Sequence, residues 1–117
     1  MATAGTNDGR ELKNEHDRAV LRRFSEAVRN RFGAAAIWAF GSRARGDAAP
    51  DSDLDVCVVL DALTREADRA VMRLAWEIGF EHDVVISTIT YSRAEFEHGP
   101  CSQSPLVRAI LREGIAA

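Results

Sequence analysis

Two apolar runs near the middle of this 117-residue chain flank a polar stretch in which one glycine, one serine and two aspartates stand at telling places. Ala35 to Phe40, which includes Ile37 and Trp38, reads as a short strand and runs straight into Gly41-Ser42. Gly41, Gly46 and Pro50 are turn signals, so the segment from Gly41 to Pro50 predicts a turn plus a brief helix. Ten residues separate Ser42 from Asp53-Leu54-Asp55, where a second apolar run carries on to Leu60. A chain of this kind must bring two strands together at a polar turn. Side chains alternate along a strand. Leu54, Val56, Val58 and Leu60 therefore share one face of the segment Asp53 to Leu60, and Asp53, Asp55 and Cys57 share the other.

The flanking sequence supplies helices to cover such a sheet. From Glu11 to Phe32, the residues Val20, Phe24, Ala27, Val28 and Phe32 recur at helical spacing until Gly33. Thr64 to Ile78 repeats the pattern with Ala67, Ala70, Val71, Leu74, Ala75 and Ile78, and Gly79 is expected to close it. Asp83 to Ile89 is β-branched and predicts a third strand. Ser92 and Glu95 have capping-box spacing, which predicts a short helix to about Glu97. Ser104-Pro105 opens a last helix, with Leu106, Val107, Ile110 and Leu111 on its apolar side and Gly114 at its end.

The expected fold class is α/β (α+β): a small mixed sheet of about three strands covered by helices on one face, with Asp53 and Asp55 on the other. Residues 1–10 are expected to form a flexible tail and residues 11–117 a single domain. At this length folding buries roughly 60–70% of the unfolded surface, so a core forms without disulfides. Cys57 and Cys101 make neither a ligand cluster nor a disulfide framework. A net charge of −3 argues against general nucleic-acid binding. With no window of membrane-spanning length and no apolar leader in the first ten residues, the expected compartment is the cytoplasm.

Aspartate is depleted from strands, so two of them alternating with Leu54 and Val56 call for a reason. Adjacent same-face carboxylates suit a hard divalent cation such as Mg²⁺, which completes its shell with waters and substrate phosphates. They are also placed to bridge two ions in an in-line displacement. Asp83, at the start of the third strand, is the preferred third carboxylate, with Glu81 the competing choice. On the phosphate side, Gly41 permits close backbone approach, Ser42 offers a hydroxyl, and the amides opening the short helix point at an anion. Arg43 and Arg45 add positive charge within reach of a triphosphate. A Walker lysine pattern is missing, which argues against a P-loop NTPase.

Gly41-Ser42-Arg43-Ala44-Arg45-Gly46-Asp47 followed by Ser52-Asp53-Leu54-Asp55-Val56 closely resembles the minimal nucleotidyltransferases of the DNA polymerase β-like superfamily. The resemblance runs from about Ile37 to the end, through Asp83-Val84-Val85 and Leu111-Arg112-Glu113-Gly114-Ile115. It implies the nucleotidyltransferase fold, two Mg²⁺ ions on Asp53, Asp55 and Asp83, catalysis by Asp53 and Asp55, and a nucleoside triphosphate at Gly41, Ser42, Arg43 and Arg45. It further implies AMP transfer from ATP to a tyrosine of a HEPN-type ribonuclease toxin encoded nearby, with this chain as the antitoxin. The chain would then work as a hetero-oligomer with the toxin or as a homo-oligomer. Two rivals stand beside that reading: a non-catalytic antitoxin that masks its toxin by binding, and a small-molecule nucleotidyltransferase of the antibiotic-modifying type.

Overall fold

The computed structural model describes residues 10–49 and 51–117. The expected tail, apart from Arg10, and the turn signal Pro50 lie outside the described residues. Helix α1 spans Glu15–Phe32 and begins later than the periodicity suggests, because Asn14 caps it. The Asn14 carboxamide accepts the Asp17 N–H at 3.1 Å. Leu12, upstream of the cap, is buried in the core from an irregular segment. Strand β1 (Ala35–Phe40), helix α2 (Gly41–Arg45) and strand β2 (Leu54–Leu60) follow.

Helix α3 runs from Arg65 to His82, with Thr64 as its N-cap. It passes through Gly79, where the sequence pattern suggests a stop. The glycine serves a close approach instead: the Val84 N–H donates to the Gly79 carbonyl at 2.9 Å, and a Cβ at Gly79 would overlap the Val84 carbonyl oxygen. The helix therefore ends at Asp83, which sits in the left-handed conformation (φ 59°, ψ 43°) that aspartate tolerates better than most residues. Strand β3 is Ile86–Ser92, three residues later than expected at each end. Helix α4 (Arg93–Glu97) carries the anticipated capping box. A 3₁₀ turn (Pro100–Gln103), helix α5 (Pro105–Glu113) and strand β4 (Ile115–Ala116) complete the chain.

The described residues form a four-stranded mixed sheet in the order β3-β2-β1-β4. β2 is antiparallel to β1 and parallel to β3, and β4 adds an antiparallel pair at Trp38 and Ala39. The fourth strand has two residues, too few for an alternation to register in sequence. Helices also lie on both faces, where one was expected. Leu54, Val56, Val58 and Leu60 pack with Val20, Phe24 and Val28 of α1 and Val71, Ala75 and Ile78 of α3 in the main core. On the opposite face Trp38, Cys57 and Val59 meet Phe96 of α4 and Val107 and Ile110 of α5. That second layer covers the Cys57–Val59 end of β2. The Asp53 end stays open, and Asp53 is exposed. No helix among the described residues is long and apolar enough to cross a membrane.

Candidate functional site

The open corner is built where β1 ends and β2 begins. Gly41 follows β1 with φ 78°, a conformation glycine adopts freely. It also needs to be bare: a Cβ there would overlap Asp55 Oδ2. The turn that opens α2 is thus packed directly against the Asp55 carboxylate, and Ser42 is half-buried as the second residue of that helix. In the sheet Asp55 stands between Phe40 on β1 and Ser87 on β3. Asp53 lies on the same face one step earlier, just before β2 begins.

The carboxylates repel. Burial raises the Asp55 carboxyl above the ordinary carboxylate value, the neighbouring Asp53 charge raises it further, and Arg45 partly offsets both. A half-buried acid beside a second acid is a donor set that a cation would satisfy. Two hard oxygen donors next to a glycine turn suit a divalent ion that fills its shell with water and phosphate oxygens. The residues present therefore fit a divalent cation on Asp53 and Asp55.

Asp83 does not join them. It caps α3, is exposed, and lies four residues before Ser87, the residue paired with Asp55 across the parallel ladder. The neighbourhood of β2 and β3 is as the sequence suggests, but the register is displaced because α3 continues past Gly79 and the β-ladder starts at Ile86. The residue that β3 pairs with Asp55 is Ser87, neutral and exposed. Glu81 lies within α3 and does not replace Asp83. Among the described residues no group of three or more His, Cys, Asp or Glu side chains is placed to share a metal ion.

The two arginines of the turn have opposite surroundings. Arg43 turns inward. Its Nη1 donates to both Asp17 carboxylate oxygens at 2.8 and 3.0 Å, and its Nε and Nη2 donate to the Ser52 carbonyl at 3.0 and 2.6 Å. The side chains are 11% and 3% exposed. Arg43 thereby ties α1, α2 and the approach to Asp53 together, and its guanidinium is committed to the scaffold rather than to a triphosphate. Arg45 is 48% exposed and loosely held, 3.4 Å from Asp47 and 3.8 Å from Glu113. It remains at the mouth and contributes to the field at Asp55. Residues two apart on a helix do not face the same way, so one arginine faces in and the other out.

Asp17 is the residue that sequence reading missed. Its spacing to Val20, Leu21 and Phe24 puts it on the core-facing stripe of α1, where a lone acid needs a buried partner. Glu113 was visible only as part of a motif; in the fold it lies at the end of α5 against Arg45. Cys57 is a structural thiol: burial pushes it up to about 12, which leaves little nucleophilic thiolate.

Of the comparisons with known proteins, the family model gives the general type. The family model described as a nucleotidyltransferase domain matches residues 21–116. Among solved structures, a candidate nucleotidyltransferase from Sulfolobus solfataricus is 18% identical, with coverage of 89% of this chain and 87% of that one and a TM-score of 0.47. No curated protein matches the sequence.

Proposed function

The chain belongs to the nucleotidyltransferase domain family, and from that premise we propose that it transfers a nucleoside monophosphate, AMP from ATP, to a hydroxyl in an Mg²⁺-dependent reaction. The observation that carries this reading is the contact of the Gly41 turn with Asp55, which joins the phosphate-binding and carboxylate halves at one corner. Asp53 and Asp55 hold the cation, and Gly41, Ser42 and Arg45 hold the triphosphate. A bound divalent ion supplies Lewis-acid polarisation of the phosphate to be attacked. Asp53 and Asp55 keep their oxygens next to the turn, Arg45 offsets negative charge at the mouth, and Arg43 with Asp17 keeps the approach to Asp53 rigid. The acceptor oxygen bonds to the α-phosphorus, the bond to the pyrophosphate oxygen breaks, and the hydroxyl proton passes to solvent water at the open Asp53 end.

The acceptor we propose is a tyrosine of a HEPN-type toxin encoded nearby. The open Asp53 end of the sheet supports a macromolecular acceptor, because the second helical layer leaves that end without a wall. The test is incubation with labelled ATP, Mg²⁺ and the product of the neighbouring reading frame, followed by intact-mass measurement. A gain of one or more AMP units on the partner, lost in Asp53→Ala and Asp55→Ala variants, is the expected result. A second reading draws on Ser87, the neutral residue that β3 pairs with Asp55. It is a non-catalytic antitoxin that masks its toxin by binding. Full neutralisation by the double alanine variant, with no mass gain from any NTP, would favour it.

A further inference from the structure

Helix α3 carries large apolar side chains that the fold does not use. Met72, Trp76 and Phe80 follow at four-residue steps and are 56%, 68% and 77% exposed. The Trp76 and Phe80 rings stack, with centroids 5.4 Å apart and 6° between planes. With Val85 they border a groove of about 810 Å³ between α3 and the start of β3. β3 is an outer strand of the sheet. Its sequence, Ile86–Ser92, has no lysine or proline of the kind that blunts an outer strand. Isolated apolar residues on a surface are ordinary, whereas a contiguous stripe of this kind marks an interaction face.

The charges beside the stripe say what covers it. Arg65, Arg69, Arg73, Glu77 and Glu81 also succeed one another at four-residue steps, and all are exposed. Like charges four apart on a helix repel, as do Arg65 with Arg69, Arg69 with Arg73, and Glu77 with Glu81. Cations in the N-terminal half and acids in the C-terminal half also oppose the helix dipole. Facing solvent alone, the row has one favourable neighbour pair, Arg73 with Glu77, against three unfavourable ones. Facing an antiparallel copy of itself, each half meets its opposite.

We infer that a second copy of this chain docks on α3, antiparallel and two-fold related about Trp76. Arg73 and Arg69 of each copy then face Glu77 and Glu81 of the other, Met72 lies against Phe80, and the two Trp76 rings meet at the axis. Such a contact is self-complementary, as a two-fold interface must be. Trp76 and Phe80 alone offer roughly 300 Å² per copy at 150–250 Å² per aromatic side chain. Met72, Val85 and the charged flanks extend this towards the ~800 Å² per partner of a standard interface.

The test is sedimentation equilibrium over about 1–200 μM, the range in which a modest interface populates both states. The native chain is expected at twice its own mass at the top of the range, with a blue shift in the emission of Trp76; Trp38 is already buried. Trp76→Glu changes an exposed position and is expected to weaken the dimer at least about a hundredfold. The decisive arm is charge reversal. An Arg69→Glu/Arg73→Glu variant and a Glu77→Arg/Glu81→Arg variant should each be monomeric, and their equimolar mixture should dimerise. A native chain that stays monomeric throughout overturns the inference and leaves the stripe to a partner of different sequence. So does a dimer that survives Trp76→Glu, or a mixture that stays monomeric while both variants keep native circular dichroism.

Discussion

Replacing Asp17 by asparagine tests the buried link that positions the site. Solvent cannot screen the loss, since the Arg43 and Asp17 side chains are 11% and 3% exposed. Breaking a buried pair by neutralising one partner costs about 3–5 kcal/mol, because the other charge is left uncompensated. Asparagine keeps one acceptor oxygen for Arg43 Nη1, which returns about 0.5–1.5 kcal/mol. The expected loss is therefore about 2–4 kcal/mol, against a total of roughly 6–17 kcal/mol for a domain of this length. The melting temperature should fall by roughly 8–20 °C. Urea denaturation is the assay, with the m-value unchanged if the native state stays compact.

The double variant Asp17→Leu/Arg43→Met separates charge from architecture. It removes both buried ions, which can be close to neutral. It also strips the Ser52 carbonyl of the two donors that Arg43 supplies, a cost of about 1–3 kcal/mol. The double variant should thus be no less stable than Asp17→Asn, with a coupling of about 2 kcal/mol from a cycle that includes both single replacements. Since Ser52 precedes Asp53, both variants should also lower turnover of the folded fraction. An Asp17→Asn protein within about 0.5 kcal/mol of the native one would refute the claim that this pair is desolvated and structural.

Gly41→Ala places a methyl on Asp55 and forces φ 78° on a residue with a Cβ; nucleotidyl transfer should drop at least about a hundredfold, and an unchanged rate would disprove the close approach. Asp55→Asn removes a carboxyl raised by burial and by Asp53; it should abolish transfer yet leave the fold somewhat more stable at neutral pH. A raised native value means that the stability owed to Asp55 is present below the ordinary value of 3.8 and lost as pH rises through the native one. The gap between Asp55→Asn and the native chain should accordingly be absent at low pH and open as pH increases, as followed by thermal melts. Arg45→Ala should raise the KM for nucleotide about 5–50-fold with little change in melting temperature. A thiol reagent should label Cys101 in the native chain and Cys57 at least about a hundredfold more slowly.

Most of the architecture was legible because burial repeats. The stripes of α1 and α3, the alternation of β2, and the caps at Ser92 and Ser104 each state a period that tertiary packing reinforces. Three features escaped for specific reasons. β4 is two residues long and exists through pairing with Trp38 and Ala39, information held elsewhere in the chain. The second helical layer was hidden because Cys57 and Val59 read as the back of a strand bearing aspartates, although they pack under α4 and α5. The end of α3 is concealed because glycine commonly terminates a helix, whereas Gly79 serves close contact with Val84.

That last displacement governs the site. Moving a strand start by three residues is a small error for a fold and a large one for a ligand set, because cross-strand partners are fixed by register. Leu54 pairs with Ile86, so Asp55 pairs with Ser87, and Asp83 falls outside the ladder. The arginines carry the same lesson in helical form. Arg43 and Arg45 read as one basic cluster in sequence, but two residues along a helix is more than half a turn. One had to turn towards Asp17 and the other towards solvent. What remains at the corner is smaller than the motif suggests: two carboxylates, one bare glycine turn and one accessible arginine. The proposed macromolecular acceptor therefore rests on the open Asp53 end of the sheet rather than on any single residue.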